Sequence, residues 1–114
     1  MPKILIVDDF KQWQNSWKRR LGDKVEILSA FTIPEADALF SANPDINLIV
    51  MDACVPGDEL TTPPLVRKFR ETFKGPMIAV SSDEEYRKEL MRVGCDHESE
   101  KEHLPKKVLE ILGI

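Results

Sequence analysis

An α/β domain, with helices on both faces of a parallel sheet, is predicted by three features of this 114-residue chain. Short apolar runs recur at residues 4–7 (ILIV), 25–28 (VEIL), 48–51 (LIVM) and 77–80 (MIAV). They are rich in Ile, Val and Leu without strict alternation, as strands buried on both faces should be. Amphipathic stretches of helical spacing lie between them, so strand and helix alternate five times in the manner of βαβ units. Right-handed crossovers would then give a doubly wound sheet.

The first run leads into a helix whose face carries Phe10, Trp13, Trp17 and Leu21. That spacing assigns the three aromatics to the core, and Gly22 is placed to end the helix in the left-handed conformation. After the second run, Thr32 and Glu35 form a capping box for a helix bearing Ala36, Leu39 and Phe40. Leu65, Phe69 and Phe73 stripe a third helix, with Thr62 before it and Gly75-Pro76 after it. Tyr86, Leu90 and Val93 stripe a fourth, which Gly94 ends. The fifth strand is weak, spelled only by the polar segment CDHESEK from Cys95, and Leu104, Val108, Ile111 and Leu112 mark the last helix. So polar a strand belongs at a sheet edge, where its charges discourage pairing with another chain.

One domain over residues 1–114 is expected at this length. The formal net charge of −4 argues against nucleic acid or an anionic membrane as partner. No apolar run approaches the roughly 20 residues of a bilayer span, and the start of the chain lacks a signal-peptide pattern. Cys54 and Cys95 sit in unrelated contexts and suggest no disulfide scaffold, so a reducing, cytoplasmic setting is expected.

In a parallel sheet all strand ends of one polarity share an edge, and ligands bind at the carboxyl edge. Asp8 and Asp9 follow the first run, Asp52 the third, Ser81 and Ser82 the fourth, and Lys101 the fifth segment. Two unit charges about 4 Å apart repel by about 4 kcal/mol at an effective dielectric near 20. A hard divalent cation offsets that repulsion, and Mg²⁺ suits a few carboxylates, waters and a phosphate oxygen. Lys101 adds a compact positive charge suited to a phosphoryl group. No Gly-rich phosphate loop ending in Lys is present, and no His or Cys is placed as base or nucleophile of an acyl-transfer triad. The set suits phosphoryl transfer to a carboxylate.

These residues carry a resemblance. "VDD" after the first strand, "LIVMDACVPG", "PMIAVSS" and "GCDHESEK", in this order, make the chain similar to the receiver domains of two-component response regulators. The resemblance covers nearly the whole chain and implies a CheY-like, flavodoxin-type sheet of order 2-1-3-4-5. It implies Asp52 as phosphoacceptor from a histidine kinase or histidine phosphotransfer protein. Asp9 would ligate Mg²⁺ or Mn²⁺ directly, with Asp8 helping through a water and the Cys54 backbone carbonyl and Asp52 completing the protein's share. Ser81 and Lys101 would bind the phosphoryl group.

The implied protein is a stand-alone phosphorylation switch for an output protein, not a turnover enzyme. Cys54 and Asp83 are expected as tuning residues near the acceptor. Glu98 stands where the family carries a switch aromatic, and Glu102 where it carries a proline. Those departures keep a second reading open, a pseudo-receiver that signals through protein contacts without phosphorylation. A metal-dependent phosphatase is disfavoured because Cys54 occupies the place of its second acid.

Overall fold

The computed structural model describes residues 1–114, and its strands and helices alternate as the sequence predicts. The elements are β1 (Lys3–Val7), α1 (Lys11–Leu21), β2 (Glu26–Ala30), α2 (Ile33–Ala42), β3 (Leu48–Asp52), α3 (Pro63–Arg70), β4 (Met77–Val80), α4 (Glu84–Val93), β5 (His97–Ser99) and α5 (Leu104–Leu112). A single 3₁₀ turn, Lys101–His103, joins β5 to α5. All pairings are parallel and the order is β2-β1-β3-β4-β5.

Successive strand residues point to opposite faces, and the two cores divide accordingly. Ile4, Ile6, Leu48, Val50, Ile78 and Val80 meet Trp17 and Leu21 of α1 and Leu104 and Val108 of α5. On the other face Leu5, Val7, Ile49, Met51, Met77 and Ala79 meet Ala36 of α2, Leu65 and Phe69 of α3 and Leu90 of α4. The central strands are thus buried on both sides, which is why their sequences do not alternate. β5 lies at an edge with β4 as its sole partner, and its three residues are the polar His97, Glu98 and Ser99.

Several local expectations hold. Thr32 Oγ1 accepts the Glu35 N–H at 3.1 Å as in the expected box, while Glu35 accepts the Phe31 N–H at 2.6 Å, one residue before the N-cap rather than at it. Gly94 ends α4 at φ 149°, where a Cβ would meet Arg70 Cγ at 2.7 Å.

Four expectations are corrected. Gly22 is right-handed (φ −64°), and glycine is needed there because a Cβ would lie 2.6 Å from the Lys18 carbonyl oxygen. Phe10 is 50% exposed. It precedes the helix in extended conformation and so escapes the helical stripe, while Trp17 is buried and Trp13 half-buried. The second strand is shifted from residues 25–28 to Glu26–Ala30 by its register with β1. Phe73 is buried but lies beyond the end of α3.

Candidate functional site

Register assembles the site. Val7 pairs with Met51, Asp52 with Val80, and Val80 with Ser99, so the strands end level at the carboxyl edge. Asp8, Asp52, Ser81 and Lys101 follow from that alignment, and Asp9 and Cys54 join them from the adjoining loops. They border or underlie a pocket of about 490 Å³ that also takes in Trp13, Asp83 and Tyr86.

Asp8 is fully buried and both its oxygens are engaged. Oδ1 accepts the Phe10 N–H at 2.8 Å and Oδ2 accepts the Lys101 ammonium at 2.9 Å. Lys101 also reaches Asp52 Oδ2, at 3.4 Å. Asp9 Oδ2 accepts the Gly57 N–H at 3.1 Å, across the loop that follows β3. That glycine adopts φ 83°, a left-handed conformation costly for a residue with a Cβ.

One ammonium among three carboxylates leaves a net charge of −2 when all are ionised. Burial first, and then the neighbouring Asp8 charge, push the Asp52 carboxyl up to about 7 despite Lys101. Burial likewise raises Asp8 above the ordinary carboxyl range, against its bonds from Lys101 and Phe10. For Lys101, burial works against the ammonium, but its contacts with Asp8 and Asp52 prevail and hold it above the usual lysine value.

The donor set fits a hard divalent ion. Oxygens of Asp8, Asp9 and Asp52 all lie within 4.8 Å of one another. Oxygens sharing one octahedral Mg²⁺ at about 2.1 Å stand roughly 3 to 4.2 Å apart, so small side-chain rotations close the gap. The ion would balance the residual −2. Cys54 borders the same pocket, and its carbonyl accepts no hydrogen bond from the chain.

Other residues sort by what they touch. Ser81 Oγ accepts the Asp83 N–H at 3.0 Å, which leaves the hydroxyl hydrogen for a pocket ligand. Asp83 Oδ1 accepts the Glu85 and Tyr86 N–H groups at 2.9 and 3.2 Å, so its carboxylate is the N-cap of α4. Burial, then the charge of Asp52, pushes the Cys54 thiol up to about 11, which removes it as a ready nucleophile. Glu98 lies outside the pocket, on the neighbouring groove between α4, β5 and α5.

Three supports were not anticipated from sequence. The buried Thr62 hydroxyl donates to the Asp52 and Ala53 carbonyls at 2.8 and 3.1 Å, closing the loop under the acid. Trp17 Nε1 donates to the Lys101 carbonyl at 3.1 Å and so anchors the turn that carries the lysine. Gln14 Nε2 donates to the carbonyls of Ile6, Asp8 and Ala30, holding β1 where it leaves the sheet. A polar residue on a helix face was the only signal for Gln14, and the indole N–H had none.

The fold and the acidic edge together define a CheY-like receiver architecture. No family model and no curated protein matches the sequence. Solved structures do match. A two-component response regulator from Clostridium difficile is similar at 24% identity and TM-score 0.84, over 99% of this chain and 97% of that one. A CheY-like response regulator receiver domain protein from Methanospirillum hungatei JF-1 shares 26% identity at TM-score 0.80, over 99% of this chain and 91% of that one. A Burkholderia pseudomallei response regulator, solved with a phosphorylated aspartic acid, a calcium ion and citrate, superposes at TM-score 0.83 and 16% identity, over 98% of this chain and 66% of that one. The resemblance read from the sequence therefore holds across nearly the whole chain at the level of fold.

Proposed function

We propose that this chain is a phosphoacceptor receiver in two-component signalling, with Asp52 as the acceptor. The observation that carries the reading is the convergence of three carboxylates and one ammonium at the carboxyl edge, with the Ser81 hydroxyl just past the end of β4. The donor is a protein bearing phosphohistidine, on a histidine kinase or a histidine phosphotransfer protein. An Asp52 oxygen lone pair forms the new P–O bond as the P–N bond breaks. The bonding pair returns to the ring nitrogen, and neutral imidazole leaves with a proton on its other nitrogen. Lys101 compensates phosphoryl charge, and Ser81 donates its hydroxyl to a phosphoryl oxygen.

Asp8, Asp9, Asp52 and the Cys54 carbonyl would hold Mg²⁺, which supplies charge neutralisation for the transferred group when bound. The product is a modified protein that changes shape or partner, not a released metabolite. Two buried, unpaired cysteines fit a reducing, cytoplasmic setting.

The test is incubation with Mg²⁺ and phosphoramidate, read by intact mass. One added phosphoryl group is expected on the native chain and none on Asp52→Asn. A gain that persists in the variant contradicts the acceptor assignment. The pseudo-receiver alternative rests on Glu98, Glu102 and the short polar β5. Absence of millimolar Mg²⁺ binding and of a beryllofluoride adduct would establish it instead.

A further inference from the structure

Glu98 does not stand alone at the sheet edge. Arg87, one turn into α4, donates from Nε to Glu98 Oε1 at 3.0 Å and from Nη1 to the Ser81 carbonyl at 2.7 Å. Its side chain is only 13% exposed, against 39% for Glu98, so the guanidinium lies largely sheltered between helix and strand. We propose that Arg87, oriented by Glu98, is a positioning residue for Ser81, which couples occupancy of the acidic pocket to an ion pair on the α4–β5 surface. This rests on the phosphoacceptor reading of the site.

The geometry around Ser81 is the reason. Past the end of β4, the Ser81 N–H meets the Ser99 carbonyl at 3.4 Å, a long bond. The Arg87 bond at 2.7 Å is shorter and charge-assisted, so it is the stronger constraint on the Ser81 backbone. Ser81 Oγ is tied on its acceptor side to the Asp83 N–H, at the first residue of the α4 cap. Backbone and hydroxyl of Ser81 are both referred to α4, and Arg87 joins that helix to β5 through Glu98.

The planar fork of a guanidinium can serve the carbonyl and the carboxylate at once, whereas an ammonium offers a single point of charge. A ligand that needs the Ser81 hydroxyl in place therefore binds more tightly when the ion pair is made. By linkage, the ligand tightens the ion pair by the same factor.

The experiment measures two affinities on each protein: Mg²⁺ alone, and beryllofluoride at saturating Mg²⁺. The proteins are the native chain, Arg87→Lys, Glu98→Gln and the double variant. Arg87→Lys should weaken beryllofluoride about tenfold, within the usual range of coupling between sites, while leaving Mg²⁺ within about twofold. Glu98→Gln should weaken it by about threefold, and the double variant should match Arg87→Lys because both act through one contact. The Arg87 Nε–H resonance should shift on beryllofluoride addition in the native protein and not in Glu98→Gln.

A purely structural role would move Mg²⁺ and beryllofluoride together, or lower the melting temperature without separating them; either result overturns the inference. So does an Arg87→Lys protein that binds beryllofluoride like the native chain. If Arg87→Lys fails to fold, the isosteric Glu98→Gln decides by the same two affinities. A native protein that binds Mg²⁺ but never beryllofluoride overturns the acceptor reading itself, and the inference with it.

Discussion

Replacing Asp52 by Asn should stabilise the metal-free protein, and by more at high pH. The carboxyl is raised from 3.8 to about 7, with burial the main cause and Asp8 the second. Between those values the native state holds a proton that the unfolded chain has released. Stability therefore falls as pH rises through this window. Integrating the linkage relation at about 1.36 kcal/mol per unit gives a loss of about 2 kcal/mol by pH 5 and about 4 kcal/mol by pH 8. Asn cannot ionise, so the gap between variant and native protein should open by about 2–3 kcal/mol between pH 5 and pH 8. At roughly 4 °C per kcal/mol for a domain of this size, that is near 10 °C in melting temperature. Asp8, raised in the same direction, adds a fall of the same sign in both proteins. Urea denaturation in chelator at the two pH values reads the gap directly. Parallel pH profiles, or an Asn variant less stable at pH 8, would refute the electrostatic account of the pocket.

Three further outcomes follow from the same contacts. Lys101→Met removes the only ammonium bonded to the buried Asp8 and should cost about 3–5 kcal/mol near neutral pH, less in acid, with added Mg²⁺ restoring part of it. Thermal melts with and without metal check this, and a variant as stable as the native protein would exclude an ionised Asp8. Thr62→Val removes the hydroxyl bond to the Asp52 carbonyl, while the Ala53 carbonyl keeps the Thr61 and Thr62 N–H groups, and should cost about 1–2 kcal/mol in urea denaturation. Cys54, with its thiol near 11 against an ordinary 9, should be alkylated about a hundredfold more slowly than a free thiol at neutral pH, and an ordinary rate would show that the loop opens.

What the sequence revealed and what it hid divide along a physical line. Each strand reads as an apolar run that stops at a polar residue, and a parallel sheet aligns those stops. Asp8, Asp52 and Ser81 could therefore be brought to one edge before any coordinates. Signals of that kind are local and repeat with the strand. The supporting contacts are neither: Trp17 reaches Lys101 across 84 residues, and Arg87 reaches Glu98 across 11, from one element to another. Spacing says nothing about such pairs. Phe10 escapes the helical periodicity because it lies one residue before the true start of α1, in extended chain. Thr62 stands before a helix as a cap would, but its hydroxyl turns back to the Asp52 carbonyl at the end of β3.

The distribution of hydrogen bonds also bears on which acid is the acceptor, independently of any resemblance. Asp8 is fully buried with both oxygens held, by a backbone N–H and by Lys101 at 2.9 Å. Adding a phosphoryl group there would dismantle the end of β1. Asp9 is half-buried and fastened to Gly57, so it steadies the loop opposite. Asp52 is the acid least well compensated: Lys101 stands 3.4 Å away, and its carboxyl is pushed to about 7. A cation beside Asp52 would offset the burial and the Asp8 charge and favour the ionised form, the one with a lone pair free to attack phosphorus. The imbalance that destabilises the metal-free fold thus falls on a side chain whose modification spares the Asp8 contacts at the end of β1 and the Asp9 contact to the loop. Electrostatic cost and chemical competence meet in the same residue, which is the physical reason to assign the phosphoryl group to Asp52.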